Sequence, residues 1–387
     1  MRFIHTADWH LGRYFHGVHL TDDQRQLLLE EFLPLVKESK AEAVVIAGDI
    51  YDRGVPPVEA VDLFSEVLTK LVEQKVKVLY IAGNHDSAAR VGFGSTLLAQ
   101  AGVYVRGELT RDLAPVVLED AYGPVAFQLL PYLEPAHVRG VFPELVPEHG
   151  GLSFDEAHRI VIEQARAQLP AGVRSVAVAH AFMANGQSST SERPLAVGGS
   201  GAVPPALFRD YNYTALGHLH NPQRAGSETC RYSGSLMKYS FDEAEQHKGV
   251  CIVELDAAGQ ATVETMPLTP PRDVRRLKGK FEELLHNREL FPASDDYIEA
   301  VLTDDGPVLD ALARLRGPFP HIMHVERVFY EHEATLSNEG QAMLEKNEQE
   351  VFAQYYEAMT GQQLSAAQQA VLQQCLTAVH ADRREQA

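Results

Sequence analysis

Carboxylate, amide and imidazole side chains interrupt the ends of five apolar stretches in this sequence of 387 residues. The positions are Asp8 and His10, Asp49, Asn84 and His85, His180, and His218 and His220. A spacing of two residues puts Asp8 with His10, and His218 with His220, on a common face of extended backbone. Leaving His85 aside, the set contains two aspartates, one asparagine and four histidines, and no thiolate. Such mixed ligands suit divalent ions such as Mn, Fe, Zn or Mg.

Seven ligands are too many for one tetrahedral ion, but they suit two adjacent ions that share a carboxylate. Asp49 is the expected shared ligand, because it ends a strand predicted to be central. A single Asp or His at a strand end is usually a capping or turn residue, and "GNHD" alone is good turn chemistry. Five such interruptions are much harder to explain by capping, because burying so many polar groups without partners would cost several kcal/mol. The pattern therefore favours a centre for two ions.

Strands alternate with helices in the first half of the chain, which predicts a layered α/β sheet. Apolar runs that end in Gly and a polar residue, "AEAVVIAGD" and "VKVLYIAGN", suit strands buried on both faces. Thr21 and Gln24 have the spacing of a capping box at the start of the first helix. Later strands are predicted in "RSVAVAHAF" and "NYTALGHLH", and "GVCIVELD" with "ATVETMPL" is typical of a closing hairpin. The polar residues thus fall at the carboxyl ends of strands, at one sheet edge, where open α/β sheets bind ligands.

Composition limits the class of protein. The length favours two or three domains, and 45% apolar residues fit a globular protein with a core. No apolar run approaches the ~20 residues that span a bilayer, and the segment after Met1 predicts a strand rather than a signal peptide. Three cysteines without metal-ligand spacing favour a reducing cytoplasm. The formal net charge of -19 argues mildly against a nucleic-acid partner, although bound divalent cations would offset part of it.

The order of the motifs resembles that of the calcineurin-like metallophosphoesterases. The order D-x-H, GD, GNHD, H, GHxH is found here as "DWH", "GDIYD", "GNHD", the His of "VAHAF", and "GHLH". Longer stretches are similar to the SbcD-type nuclease subunits of bacterial SbcCD complexes. They are "HTADWHLGR", "GDIYDRGVPP", "SERPLAVGGSGAVPPALF", "YTALGHLHNPQ" and "RYSGSLMKYSFDEAEQHKGV". The likeness is dense from Met1 to about Leu268 and looser beyond.

The resemblance implies a layered metallophosphoesterase sheet sandwich flanked by helices, with a role for each site residue. One ion would be held by Asp8, His10, Asp49 and His220, and the other by Asp49, Asn84, His180 and His218. The family implies Mn2+, while the ligand types leave Mg2+ or Fe2+ open. Two ions ~3.5–4 Å apart can polarise a phosphodiester and offset charge on its transition state. His85 is expected to contact the scissile phosphate or to protonate the leaving oxygen, and Asp52 or Asp86 either to orient a histidine or to serve as a turn residue.

DNA is the substrate that the resemblance implies, despite the acidic total charge. Four side chains near the ligands are candidates for contacting phosphate: Arg13, His16, Arg53 and Arg90. Each of them taken alone is more typical of an ordinary surface charge. No base-reading motif is visible, so we expect weak sequence preference.

The C-terminal third predicts two further segments after a nuclease domain at residues 1–268. A linker from Met266 to Lys280 leads into a small α/β capping domain, residues 269–336, which in the family helps to seat DNA. Residues 337–387 predict two helices, the first ended by Gly361 and the second capped by Ser365, with apolar stripes on both. In the family such helices dock on the coiled-coil base of the SbcC ATPase. The alternative is that they pack back on their own domain.

With SbcC, the resemblance implies an ATP-dependent double-strand exonuclease and a single-strand or hairpin endonuclease in DNA repair, replication and recombination. It also implies a homodimer. One alternative is a phosphodiesterase of the same superfamily that acts on small substrates and would not need the capping domain or the tail helices. A second is an assembly subunit with an inactive site, which the presence of all seven ligands disfavours.

Overall fold

The computed structural model describes residues 1–147, 149–192, 201–304, 306, 308–327 and 348–385. The strands are β1 (Arg2–Thr6), β2 (Tyr14–Phe15), β3 (Val18–His19), β4 (Ala43–Ile46), β5 (Lys77–Ile81), β6 (Val103–Arg106), β7 (Val116–Asp120), β8 (Gly123–Leu130), β9 (Arg174–His180), β10 (Tyr213–Gly217), β11 (Gln223–Ser227), β12 (Cys230–Tyr232), β13 (Gly249–Leu255), β14 (Ala261–Pro267), β15 (Val274–Gly279), β16 (Tyr297–Leu302) and β17 (Ile322–Arg327). The helices are α1 (Thr21–Gln26), α2 (Leu33–Glu38), α3 (Val58–Glu73), α4 (Ala88–Val91), α5 (Ser95–Gln100), α6 (Pro135–Val141), α7 (Phe154–Ala167), α8 (Phe281–His286), α9 (Ala311–Leu315), α10 (Glu348–Thr360) and α11 (Ala366–Glu385). A π-helical segment, Leu27–Phe32, joins α1 to α2, and 3₁₀ turns lie at Pro143–Leu145, Pro205–Phe208 and Phe241–Glu243.

Two six-stranded sheets pack face to face. Their strand orders are β14-β13-β1-β4-β5-β6 and β11-β12-β10-β9-β8-β7. Strands β1, β4, β5 and β6 are parallel to one another, as are β8, β9, β10 and β12. Rings from the two sheets meet edge to face, with the centroids of Phe3 and Phe127 5.5 Å apart. The predicted α/β sheet sandwich is confirmed.

Apolar side chains form three buried clusters, one between the sheets and one on each outer face. On the outer face of the first sheet, Leu63 of α3 and Val44 of β4 belong to the same cluster. On the outer face of the second, Val161 of α7 and Ala177 of β9 do so. Helix α3 buries residues spaced three or four apart, which is the period of one helix face. Each buried Leu, Phe or Val of this face contributes about 1.5–3 kcal/mol relative to an exposed one.

The predicted strands are present, and β1, β4, β5 and β10 stop before the polar residues that follow them, whereas β9 includes His180 as its last residue. Strand β4 ends at Ile46, and Gly48 and Asp49 then have φ values of +90° and +49°. Left-handed backbone cannot continue a ladder of extended residues, so the chain turns there. The closing hairpin is confirmed as antiparallel β13 and β14. The expected single sheet edge is wrong, because β1, β4 and β5 lie in one sheet and β9 and β10 in the other.

The start of α1 differs from the predicted capping box. The N-cap position is Leu20, and no side chain caps the helix. Gln24 is fully buried and hydrogen bonds to the loop after β1 instead. The spacing of Thr21 and Gln24 was therefore misleading, because the glutamine is used for a tertiary contact.

The predicted strand, helix and strand of the small α/β region are present as β16, α9 and β17. Together with β15 these strands form a three-stranded sheet in the order β15-β16-β17. The predicted linker from Met266 to Lys280 is wrong in large part, because β15 occupies Val274–Gly279. Its three arginines have carboxylate partners: Arg272 pairs with Asp23, Arg275 lies 3.3 Å from Asp296, and Arg276 pairs with Glu299.

The chain divides into two compact units. One comprises Met1–Arg276, Ala293–Glu299 and Arg316–His324, and the other Leu277–Pro292, Ala300–Leu315 and the described residues of Val325–Ala387. The predicted boundaries at 268 and 336 stay predictions. Residues 328–347, where the predicted tail segment begins, and residues 193–200, within the motif "SERPLAVGGSGAVPPALF", lie outside the described residues.

Both predicted tail helices are present in the described residues. Helix α10 ends at Thr360 and is followed by the predicted Gly361, which has φ +67°. Helix α11 follows Ser365, whose backbone N–H donates to Gln368 Oε1 at 2.9 Å, and Gln368 N–H donates back to Ser365 Oγ at 3.4 Å. This reciprocal pair is the predicted cap. Among the helices that the structure describes, none combines the length and the apolar character needed to cross a membrane.

His5 of β1 joins the two sheets from inside. Its ring nitrogens lie 2.9 Å from Tyr213 Oη and 3.1 Å from the Leu216 carbonyl oxygen, both on β10. Burial lowers the pKa of His5 from 6.5 to about 3. The folded protein therefore keeps this ring neutral in a pH range where the unfolded chain protonates it.

Acid is therefore expected to destabilise the fold through His5. Between pH 6.5 and about 3 the unfolded state binds one more proton at this position. The free energy of unfolding should rise with pH in this window by up to about 1.4 kcal/mol per pH unit. Urea unfolding at several pH values should give a shallower pH dependence for His5→Gln than for the wild type. The exposed His137→Gln is the control, and identical slopes for wild type and His5→Gln would refute the assignment.

Candidate metal centre

The loops after β1 and β4 hold each other in an unusual backbone conformation. Asp8 N–H donates to the Gly48 carbonyl at 3.1 Å, and His10 N–H donates to the Asp49 carbonyl at 3.0 Å. Asp8, His10 and Asp49 have φ values of +53°, +45° and +49°. Left-handed backbone costs non-glycine residues about 1–3 kcal/mol each and is concentrated at functional sites. The pairing of the two loops stabilises this conformation and turns the three side chains toward each other.

Four of the predicted ligands converge around Asn84. Its Oδ1 atom lies 2.9 Å from His180 Nε2 and 3.0 Å from His218 Nδ1. Asp49 Oδ2 lies 3.4 Å from the same His180 nitrogen. The first sheet supplies the two oxygens and the second sheet supplies the two imidazoles, so the group exists only because the sheets pack together.

A second group forms on the other side of Asp49. His10 Nε2 and His220 Nε2 lie 3.0 Å apart, and Asp49 Oδ2 is 3.7 Å from His10 Nε2. One oxygen of Asp49 thus lies between both imidazole groups. Asp8 is fully buried nearby, but its oxygens accept the His218 backbone N–H at 3.0 and 3.1 Å. The predicted pairing of Asp8 with His10 and His220 stays a prediction.

The residues fit divalent cations. Donors about 2.1 Å from one ion lie about 3.0–3.4 Å apart, close to the separations found here. His10 Nε2 and His220 Nε2 lie 3.0 Å apart. A cation bound by both nitrogens explains this separation as well as a single proton between them does. His10 Nδ1 is buried without a hydrogen-bond partner, and the Asp52 carboxylate lies 3.7 Å away. The donor set is that of a site for intermediate or hard metal ions.

Charge in the centre is set by burial and by Asp49. Burial alone would lower the pKa of His180, but the Asp49 carboxylate raises it to about 9. Burial would raise the pKa of Asp49, and His180 holds it well below its usual range. Burial raises the pKa of Asp8 well above its usual range, and burial with the charge of His180 lowers the pKa of His218 to about 3. A cation bound here would replace the proton that His180 carries.

His220 has buried supporting residues that sequence reasoning missed. Its Nδ1 lies 2.6 Å from Ser191 Oγ and 3.2 Å from Glu243 Oε1. Lys248 Nζ pairs with Glu243 Oε2 at 2.7 Å and donates to the His220 carbonyl at 2.7 Å. Burial would raise the pKa of Glu243, but its bond to His220 and the Lys248 charge hold it far below its usual range. The stretch "YSFDEAEQHKGV" contains both residues, but their spacing carries no signal for this role.

The two aspartates considered as orienting residues have different partners. Asp86 accepts backbone N–H groups from Ile50, Tyr51 and Gly83 at 3.1, 2.9 and 2.9 Å. Asp86 therefore links the loop after β4 to the loop after β5, as expected of a turn residue. Burial raises the pKa of Asp86 to about 6. Asp52 accepts from Arg13 at 2.9 Å and lies beside His10.

His85 lies beside the ligand groups. Its backbone N–H donates to Asp49 Oδ1 at 2.8 Å, and its Nδ1 lies 2.9 Å from the Asp52 carbonyl oxygen. Because a carbonyl oxygen only accepts, Nδ1 carries a proton and Nε2 is left for another partner. The His85 ring stands edge-on to that of His10, with centroids 4.7 Å apart.

The four residues predicted to contact phosphate are in different settings. Arg13 is mostly buried and donates to Asp52 and, at 3.2 Å, to the Ser191 carbonyl. A DNA phosphate that contacts Arg13 would have to share the guanidinium N–H groups that already donate to Asp52 and Ser191. Arg53 is exposed over the Tyr14 ring, and Arg90 is exposed at the end of α4. His16 stacks on His324, with centroids 5.8 Å apart. Their contact with DNA stays a prediction.

Gly83→Ala is expected to displace the Asp49 carboxylate, which is predicted to be shared by two ions. A Cβ at residue 83 would overlap with Oδ1 and the backbone nitrogen of Asp49. We expect Mn2+ affinity to fall about tenfold or more, as for other residues that orient ligands. Gly54→Ala is the control, because its Cβ would meet Ser87 at an ordinary 3.7 Å. Electron paramagnetic resonance of free Mn2+ measures the affinity. Equal affinity in the two variants would show that the position of Asp49 does not depend on Gly83.

Two full-length relatives of this chain carry the same description, the D subunit of nuclease SbcCD. The relative from Staphylococcus epidermidis is 29% identical over 369 residues, which cover 95% of this chain and 96% of the relative. The relative from Staphylococcus saprophyticus is 28% identical over 380 residues, or 98% of each chain. Among solved structures, TT1561 of Thermus thermophilus aligns with a TM-score of 0.38 and 12% identity, over 68% of this chain and 98% of that one.

Family models match both parts of the chain. Residues 270–360 match the SbcD_C model, described as the type 5 capsule protein repressor C-terminal domain. Residues 1–222, more than half of the chain, match the calcineurin-like phosphoesterase model, and they include every predicted metal ligand. The chain therefore belongs to the calcineurin-like phosphoesterase family.

Proposed function

We propose that this chain is the metal-dependent nuclease subunit of an SbcCD-type complex and hydrolyses DNA phosphodiesters. One observation carries the proposal: a single oxygen of Asp49 lies 3.4 Å from His180 Nε2 and 3.7 Å from His10 Nε2, between two groups of ligand atoms. The full-length likeness to two proteins named as SbcCD nuclease subunits supports it.

The family binds divalent metals, and we assign two ions to this chain, with Mn2+ favoured over Mg2+ or Fe2+. One would be held by Asp8, His10, Asp49 and His220, and the other by Asp49, Asn84, His180 and His218. Bound divalent ions polarise a phosphodiester and make water acidic enough to deprotonate near neutral pH. His85, with Nδ1 held by the Asp52 carbonyl, would offer Nε2 to the scissile phosphate or to the leaving oxygen.

The proposed macromolecular partners rest on surface features. Exposed Arg53 and Arg90 follow the loops that carry ligands and would meet the DNA backbone, and residues 269–336 would help to seat it. For the SbcC ATPase, α10 and α11 offer an apolar groove of about 480 Å³ lined by Phe352, Tyr356, Leu364, Ala367, Val371 and Leu372. This groove fits an amphipathic helix of the partner.

We also propose a homodimer in the cytoplasm. Helix α3 exposes Val58 to 70%, and the segment from α4 to α5 exposes Phe93 to 85% and Leu97 to 72%. If these side chains form one contiguous apolar patch, that patch would be the surface for a second copy of this chain. The cysteines Cys230, Cys251 and Cys375 are all free thiols, which fits a reducing compartment.

Substrate choice tests this function against the alternative, a phosphodiesterase for small substrates. The chain is incubated with Mn2+ and either a DNA hairpin or a chromogenic phosphodiester, with and without the ATPase partner. We expect the hairpin to be cleaved, with stimulation by the partner and ATP, and no cleavage in EDTA. Hydrolysis of the chromogenic ester alone would support the alternative and contradict the nuclease assignment.

A further inference from the structure

Gln24 holds the loop that carries His10. Its side chain is fully buried on α1, and its Nε2 lies 3.1 Å from the Trp9 carbonyl, 2.9 Å from the His10 carbonyl and 3.1 Å from Tyr239 Oη. Its Oε1 accepts the Gly12 N–H at 3.1 Å. One carboxamide therefore binds both ends of the four-residue stretch around His10.

This clamp acts where the backbone is strained. His10 has φ +45°, and in this conformation its Nε2 lies 3.0 Å from His220 Nε2. A return to the ordinary φ would turn the side chain away. The Tyr239 hydroxyl adds a hydrogen bond to the Trp9 carbonyl, and its ring packs edge-on to His10 with centroids 5.5 Å apart.

The residue before Gln24 faces a different set of partners. The buried carboxylate of Asp23 accepts the Tyr297 hydroxyl at 2.7 Å and pairs with Arg272. The Arg272 guanidinium also lies 6.0 Å from the Tyr297 ring centroid. Arg272 follows β14, and Tyr297 is the first residue of β16. Helix α1 therefore makes two contacts through neighbouring side chains. Gln24 contacts the loop that carries His10, and Asp23 contacts Arg272 and Tyr297.

We propose that Gln24 is a positioning residue for His10 and that Asp23 anchors it to Arg272 and Tyr297. The inference rests on the proposed function, because it concerns the ion that His10 would hold. It predicts that the two ions respond differently: loss of the Gln24 hydrogen bonds weakens the ion on the His10 side and spares the ion held by Asn84, His180 and His218. A general loosening of the fold would weaken both.

Mn2+ binding to the full chain tests this selectivity. Gln24→Met keeps the side-chain length and removes the hydrogen bonds, and Gln26→Met makes the same change at an exposed position of α1. Titration with Mn2+ alone, followed by electron paramagnetic resonance, should give two ions per wild-type chain. In Gln24→Met we expect one dissociation constant to rise about tenfold or more and the other to stay as in Gln26→Met.

Two milder variants keep the test valid if Gln24→Met folds poorly, which thermal unfolding of the metal-free protein would reveal. Tyr239→Phe and Asp23→Asn should each raise the same single dissociation constant by a smaller factor. Equal weakening of both ions, or no weakening of either in a folded variant, would overturn the positioning role. A wild-type chain that binds no Mn2+ would instead overturn the proposed function.

Discussion

Asp49→Asn should reduce cleavage of hairpin DNA about 10³-fold or more, equivalent to about 4 kcal/mol of transition-state stabilisation. Among the described residues, only Asp49 has a carboxylate oxygen that lies within 4 Å of an imidazole in each of the two ligand groups. An amide oxygen carries no charge to share between two cations, so bound Mn2+ should fall from two ions per chain to one or none. The measurements are kcat/KM on the hairpin and metal content after gel filtration.

Asp62→Asn on α3 is the matched control, because it makes the same change on an exposed surface. It should keep wild-type activity and two ions. The Asp49 variant should remain folded without metal, because its partners are supplied by two sheets with large buried clusters. An Asp49→Asn protein that retains two ions and full activity would contradict the bridging assignment.

Glu243→Gln is expected to have the second largest effect, through both stability and metal binding. The carboxylate is fully buried between His220 and Lys248, whose side chain is only 3% exposed. Removing its charge leaves a buried ammonium without its partner, at a cost of about 3–5 kcal/mol. It also removes the group that orients His220, which should weaken Mn2+ binding about 10–100-fold.

A double variant separates the two effects. Lys248→Met combined with Glu243→Gln removes both charges, so much of the lost stability should return while metal affinity stays low. The neighbouring Asp242→Asn is the control, because that carboxylate is 43% exposed. Urea unfolding and Mn2+ titration give the two quantities. Restoration of metal affinity in the double variant would show that Glu243 acts on stability alone.

Local patterns in the sequence were sufficient to predict the strands next to the site, β1, β4, β5, β9 and β10, and the candidate ligands, but not the outer strands β6, β7, β8, β11 and β12. Apolar runs that end in Gly and a polar residue identify β4 and β5 with Asp49 and Asn84 beyond them, because burial on both faces demands a continuous apolar run. Period-two spacing also identified His218 and His220, but the extended backbone that it assumes is wrong, because His218 has φ +113° and Asp8 and His10 are left-handed. Each of these features depends only on residues that are close together in the chain, so a single sequence is enough to reveal it.

Features that depend on tertiary contacts were missed or misread. Gln24 has the spacing of a capping-box residue, but burial of α1 directs its amide to carbonyl groups of the loop after β1. Glu243 and Lys248 support His220 from positions more than twenty residues away, and no periodicity connects them. The basic run after β14 looked like a linker because its charges were visible in the sequence, whereas the partners Asp296 and Glu299 come from later in the chain.

Anomalous diffraction from a crystal of this protein grown with Mn2+ tests the central claim most directly. We predict two anomalous peaks ~3.5–4 Å apart, as in other two-metal sites. Asp49 should contact both, with Asn84, His180 and His218 around one and His10 and His220 around the other. A single peak, or peaks remote from Asp49 in a crystal with ample Mn2+, would contradict the two-ion account.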